Sequence, residues 1–301
     1  MSEYQYYEFL AIDRPLDVDE LAQVRALSTR ARITPTRFTN SYSWGDFKGD
    51  PRRLMERYYD AHLYLANWGT HQVMLRLPVQ LLDLPTVGPY LIEDSIEAWT
   101  SGEHLVLSLT SSDESGEADW NEDVDDSLAP IVGIRGELAS GDLRALYLAW
   151  LSALTVWELQ DDDEDAYQEE LEPLVPPGLG QLTAPQRALA DFLRVDADLL
   201  AAAARTSPAT TGPAEPDEAR LAEWIAALPA KEKDHLLLRA AQGRSPQLGA
   251  ELLRRHLVAE HHGVESEYES ESESASDSER RTAAQLLDAA AALRAERRAL
   301  A

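Results

Sequence analysis

Residues 50–70, DPRRLMERYYDAHLYLANWGT, decide how the rest of the chain is read. Asp50 followed by Pro51 is an N-cap with a proline at the first helical position, where a missing N–H breaks no bond. Leu54, Tyr58, Ala61, Leu65 and Trp68 then recur at helical spacing, and Gly69 is placed to end the run. The spacing predicts one helix over 50–68, with His62 beside its apolar stripe. Arg52, Arg53 and Arg57 would pair along it with Glu56 and Asp60, one turn away.

Beyond that helix, HQVMLRLP alternates Val73, Leu75 and Leu77 against Met74 and Arg76, the pattern of a strand. SIEAW and HLVLSLTS, joined by Thr100-Ser101-Gly102-Glu103, read as a β-hairpin. Before the helix, the aromatic-rich residues 4–12 suit a strand. Asp17 or Asp19 then caps a helix with Leu21, Val24 and Leu27 on one stripe. ITPTRFTNSYSW is extended, and Pro35 sets its start at an edge or bulge. This order, β-α-β-α-β plus a hairpin, predicts an α+β N-terminal domain: a small sheet with helices on one face, for which a ferredoxin-like topology fits.

Residues 127–159 read as helical and end in ALYLAWLSALTVW, which is apolar all round and so must be buried. At thirteen residues it is too short to span a bilayer. The division that follows is an α+β domain over 1–160, an acidic and Pro/Gly linker over 161–182, and an all-helical C-terminal region over 183–260. A disordered acidic tract over 261–280 and an amphipathic C-terminal helix over 281–301 complete it.

The net charge of −27 is concentrated in three segments, 113–126, 161–172 and 265–279. They hold 8, 8 and 7 acidic residues and no Lys or Arg, leaving 31 acids against 27 bases elsewhere. Such blocks are solvated tails and loops rather than a shaped anionic surface, which argues against mimicry of nucleic acid. No cysteine is present, so disulfide and thiolate chemistry are excluded. The polar, aromatic start MSEYQYYEFL has no basic n-region or apolar h-region, and a cytoplasmic location is expected. No membrane contact is expected either.

Searches for nucleotide-binding glycine loops, zinc-protease, nucleophile-elbow and EF-hand motifs find none, so no cofactor and no catalytic residue is assigned. His256, His261 and His262 lie near Glu260 and Glu265, but they run into the acidic tract and are not read as a metal site. His71 and His104 each begin a strand and would converge if those strands started at the same end of the sheet. Together with Asp46 they define a hydrolase alternative.

Twelve of the 22 aromatic residues fall in the first 68 positions, and residues 30–57 carry seven basic residues against three acids. If RFTNSYSW is a strand, Phe38, Tyr42 and Trp44 share a face and Arg37 points away. Basic groups beside stacking faces suit nucleic acid or a phosphate-bearing ligand. The candidate ligand-binding residues are therefore Arg37, Tyr42, Trp44, Asp46, Phe47, Lys48, Arg52 and Arg53. The same composition also builds an aromatic core under a salt-bridged helix, and the test between the two is whether Trp44 and Phe47 are exposed.

EYQYYEFLAIDRPL, STRARITPTRFTN, WGDFKGDP, YYDAHLYLANWGTH and AWTSGEHLVLSLTS together resemble a family of uncharacterised bacterial proteins common in high-GC genomes. The resemblance covers residues 1 to about 200, and it implies no activity, cofactor or catalytic residue. The leading functional expectation is a non-catalytic interaction or adaptor protein, with a protein partner or self-association through the C-terminal helices. Nucleic-acid or phosphate-ligand binding through residues 30–57 is the alternative.

Overall fold

The computed structural model describes residues 4–45, 47–112, 128–159, 170–209, 218–241, 252, 255–256 and 280–300. The acidic runs at 113–126 and 161–169, the tract at 261–279 and Asp46 lie outside them.

Seven strands form one antiparallel sheet: β1 (Gln5–Leu10), β2 (Arg32–Ile33), β3 (Arg37–Tyr42), β4 (Ala61–Ala66), β5 (Thr70–Pro78), β6 (Ile96–Ser101) and β7 (His104–Ser112). Their spatial order is β2-β3-β1-β4-β5-β7-β6. Helices lie on both faces. One face, with Tyr7, Phe9, Phe38, Met74 and Val106, is covered by Val24 of α1 (Val18–Leu27) and by Leu54 and Met55 of α2 (Pro51–Arg57). The other face, with Leu63, Leu75, Leu107 and Leu109, packs on Tyr147, Trp150 and Leu154 of the long helix Arg144–Leu159.

The expected small sheet with helices on one face, ferredoxin-like or otherwise, is therefore incorrect, and the cause lies in residues 61–66. They form strand β4, not the second half of a helix. Ala61 and Leu63 enter one core, while His62 is buried and Tyr64 packs on the opposite side. A strand buried on both faces shows a nearly continuous apolar run, which supplies helical spacing as readily as alternation. Helix α2 stops after seven residues, and the Asp60 N–H donates to the Leu10 carbonyl at 2.8 Å to start the ladder instead. Gly69, at φ 97°, closes the β4–β5 turn rather than ending a helix. Either role needs a left-handed residue, so the glycine could not discriminate between them.

The N-terminal caps behave as their residues dictate. Asp17 and Glu20 form a capping box on α1, Asp50 accepts from the Arg53 N–H, and Pro51 opens α2. Hydrogen bonding from Arg14 holds the Glu20 carboxyl down at about 2.

Further helices among the described residues are α3 (Leu84–Val87), α4 (Ile134–Ala139), α5 (Arg144–Leu159), α6 (Ala184–Phe192), α7 (Ala197–Ala204), α8 (Glu218–Ala227), α9 (Ala230–Ala241) and α10 (Ala283–Leu300). Leu189 of α6 and Leu199, Ala202 and Ala203 of α7 join the same core cluster as the sheet. So do Ala283, Leu286 and Ala290 of α10, which packs along α7. The apolar face of the C-terminal helix is thus covered by its own chain.

Polar contacts at both of its ends hold α10 there. Main-chain bonds run from the Glu172 N–H to the Arg281 carbonyl and from the Ala283 N–H to the Glu170 carbonyl, at 3.0 and 2.9 Å. The buried Glu172 carboxylate accepts from the Tyr147 hydroxyl and from Arg281, and burial with that carboxylate pushes the Tyr147 phenol up. At the other end, Arg294 and Arg297 pair with Asp196 and Asp198 at the start of α7. Removing residues 281–301 should uncover the α7 face and lower stability by about 2–3 kcal/mol, the scale of one or two buried leucines. A shift in the urea midpoint of the truncated chain measures it. Among the described residues, no helix is long and apolar enough to cross a membrane.

Candidate functional site

The site begins with the alternation of β3. Phe38, Asn40 and Tyr42 turn toward the α1–α2 side, which leaves Arg37, Thr39 and Ser41 on the other face. Thr39 pairs with Arg32 of β2, and Ser41 with Tyr6 of β1. A shallow cleft of about 220 Å³ opens here, lined by Tyr6, Arg30, Arg32, Thr39, Asn40 and Ser41.

The loop after α1 delivers the two arginines, and a buried amide fixes that loop. The Ser28 hydroxyl accepts from the Arg30 and Ala31 N–H groups, both at 3.2 Å, and from the Asn40 amide at 2.9 Å. The same amide donates to the Tyr42 hydroxyl at 2.6 Å. Beyond the strand end, Trp44 is 70% exposed, and the Arg30 guanidinium sits over its indole at 5.2 Å. Among the described residues Arg30 has no carboxylate partner. The cleft therefore presents guanidinium groups, hydroxyls and an open aromatic plate, a donor set suited to anionic oxygens.

The sequence-derived candidates separate. Trp44 stands open at the rim. Arg37 lies on the cleft face and pairs with the buried Glu8 at 3.0 Å. Tyr42 is half-buried, with its ring edge-on to Tyr7. Phe47 is a core residue, packed against Tyr7, Phe9 and Phe38. Lys48 is exposed. Arg52 lies over the Trp99 ring at 3.8 Å and near Glu56 at 3.7 Å, and Arg53 pairs with Asp50 at 3.4 Å. Both belong to α2, over the β4–β5–β7 part of the opposite face, and are not brought to the cleft. Asp46 is outside the described residues.

The histidines do not assemble. His71 pairs with Ser111 and His104 with Pro78, at opposite ends of the β5–β7 ladder. Seven residues of strand separate them, roughly 23 Å. His71 Nδ1 bonds the Phe192 carbonyl at 2.6 Å, and His256 packs on Trp224. Among the described residues no group of three His, Asp or Glu could hold a metal ion.

A second polar cluster, which the sequence did not indicate, lies at one end of the sheet. Asp60, 1% exposed, accepts from Arg76 at 2.7 and 3.1 Å and from the Ile12 and Asp13 N–H groups at 2.6 and 2.9 Å. Arg135 of α4 forms a two-point pair with Asp13 at 2.9 and 2.6 Å and donates to the Arg76 carbonyl at 2.7 Å. Nearby, burial holds His104 below the usual imidazole range. The acids and arginines satisfy one another, so the cluster reads as a clamp between β1, β4, β5 and α4 rather than a site.

The residues missed in the sequence, Tyr6, Thr39, Asn40 and Ser41, carried a usable signal. The alternation that sets Phe38 and Tyr42 apart from Arg37 also puts Thr39 and Ser41 beside it. Comparison with family models, curated proteins and solved structures returns no match at any of the three levels.

Proposed function

We propose that this chain is a non-catalytic binding protein of the cytoplasm that takes a phosphate-bearing ligand in the β2–β3–β1 cleft. The observation that carries this reading is Arg30, which in a chain of net charge −27 has no described carboxylate partner and sits over a 70% exposed indole. Arg32 supplies a second guanidinium, Thr39 and Ser41 supply hydroxyls, and the Trp44 indole offers a base the face that Arg30 does not cover.

The full-length protein would be titrated with a single-stranded oligonucleotide, a nucleoside triphosphate and inorganic phosphate at low salt. At least one should bind, with affinity that falls as salt rises. The double variant Arg30→Glu/Arg32→Glu, confirmed folded by its unchanged urea midpoint, should weaken binding by about 10–100-fold, the loss of two charge-assisted contacts. Trp44→Ala should weaken only the base-bearing ligands, which separates base recognition from phosphate recognition. Absence of binding in all three arms would reject the proposal.

A further inference from the structure

β6 is an edge strand with an open side. Ile96 exchanges both of its main-chain hydrogen bonds with Ile92, at 2.7 and 3.2 Å, so its N–H and C=O point away from β7. Alternation turns the same groups of Ala98 and Thr100 outward. The Thr110 N–H donates to the Ser95 carbonyl at 2.7 Å, which sets Ser95, Glu97, Trp99 and Ser101 toward β7. Among the described residues, nothing bonds the outward groups of Ala98 and Thr100.

Proteins commonly protect such edges with short strands, prolines, bulges or lysines. The opposite edge follows that pattern: β2 is two residues long, contains Arg32 and is followed closely by Pro35. β6 does not. Its sequence IEAWTS has six residues, no proline, no basic residue and one acid.

We infer that β6 pairs with β6 of a second copy of this chain, antiparallel about a twofold axis at Trp99. The open groups themselves select the register. Pairing Ala98 with Thr100 of the other copy, and the reverse, satisfies all four outward groups on each strand. A twofold centred on Ala98 would set Thr100 against Ile96, whose groups Ile92 already holds. A twofold centred on Thr100 would set Ala98 against Gly102, in the turn. The selected ladder runs from Glu97 to Ser101, filling the interval between the Ile92 bridge and the Gly102 turn at φ 60°.

Side chains are compatible with that register. On the face of the sheet that carries α2, each Glu97 lies opposite a Ser101 hydroxyl, and the two Trp99 rings meet at the axis. Each ring is backed by Arg52, with its indole N–H donating to Glu56 at 3.0 Å. Aromatic pairs directly opposite in a ladder are favourable partners. The ladder is short, so association should be weak, with a dissociation constant on the order of 10–100 μM. Two copies of net charge −27 also repel, so the dimer should strengthen as salt rises. The cleft lies at the far edge of the sheet, and neither proposal depends on the other.

Sedimentation equilibrium of the full chain up to roughly tenfold above that range, at moderate salt, should show a monomer–dimer equilibrium. Thr100→Pro removes an outward N–H that β7 does not use, and an edge strand tolerates proline there. It should weaken the dimer at least about 30-fold, the loss of two symmetry-related bonds. The chain has no cysteine of its own, which allows a second test that leaves β6 intact. An oxidised mixture of Glu97→Cys and Ser101→Cys proteins should yield cross-linked heterodimer, whereas either variant alone should yield little. A monomer at every concentration would overturn the inference. So would a dimer unaffected by Thr100→Pro, or a mixture that cross-links no better than its components.

Discussion

Replacing Asp60 with Ala is expected to destabilise the protein by about 3–5 kcal/mol, the usual result of removing one partner from a buried ion pair. The physical reason is the count of donors left behind. One carboxylate, almost wholly buried, receives two bonds from Arg76 and two from main-chain N–H groups, and its Oδ1 lies 4.0 Å from Arg135. Without it, the Arg76 guanidinium, only 11% exposed, loses its counter-charge, and the Ile12 and Asp13 N–H groups lose their acceptor. Adding Arg76→Met to the Asp60→Ala protein removes the uncompensated charge and should recover a substantial part of the loss. Urea denaturation of the two single variants and the double variant gives the coupling directly. A loss below about 1 kcal/mol for Asp60→Ala would mean that water replaces the carboxylate and the clamp contributes little.

The second large effect concerns acid. His62 is completely buried on β4, its ring stacked on Phe9 at 3.9 Å and 15°. Its Nδ1 lies 2.8 Å from the Glu8 carbonyl, an acceptor, so Nδ1 carries the proton and donates. The ring is therefore the neutral tautomer with an unprotonated Nε2, and no described group bonds that atom. Burial pushes its pKa down to about 3, against the opposing pull of the Glu8 carbonyl. The folded value is depressed, so the unfolded chain binds a proton below about pH 6.5 that the folded chain refuses until about pH 3. Stability should thus be fully present above pH 6.5 and fall by about 1.4 kcal/mol per pH unit below it, about 4–5 kcal/mol in all. Other groups titrate in the same range, so the measurement is a difference. Urea unfolding of the wild type and His62→Gln from pH 7.5 to 4 should show a gap that changes with that slope. Parallel profiles would mean that the folded protein accommodates a protonated His62.

Local structure was legible wherever one residue type carries one physical role. Asp17 and Asp50 each cap a helix at the position their residue type announced, and Gly102 turns the β6–β7 hairpin. The apolar length of α5 correctly implied a buried helix, every side chain from Ala145 to Leu154 being buried. The sheet was misjudged because residues 61–66 serve two cores. With Leu63 facing one and His62 the other, the polar–apolar alternation that marks a half-exposed strand is absent. One strand read as helix then removed the partner of both β1 and β5, and the helices on the second face had no sheet wide enough to cover. The candidate site was half legible for a related reason. A cluster of arginines and aromatics is visible in the sequence, but which of them share a face depends on where α2 ends. Arg52 and Arg53 follow that helix to the opposite side, while Phe47, in the connection between β3 and α2, turns inward onto Tyr7, Phe9 and Phe38.

The position of β1 also orders events during synthesis. The first strand of the chain lies inside the sheet, between β3 and β4, and Gln5 must find Ala66 as well as Tyr42. The β4–β5–β7–β6 half, in which β7 inserts between β5 and β6, can assemble within residues 61–112, whereas β1 must wait for a partner some sixty residues downstream. Closing that loop is the entropically demanding step. Until it closes, the aromatic strand QYYEFL has one open side and β4 another. The nascent chain is therefore most vulnerable to mispairing after β3 has been made and before β4 emerges, an interval that α2 helps to fill.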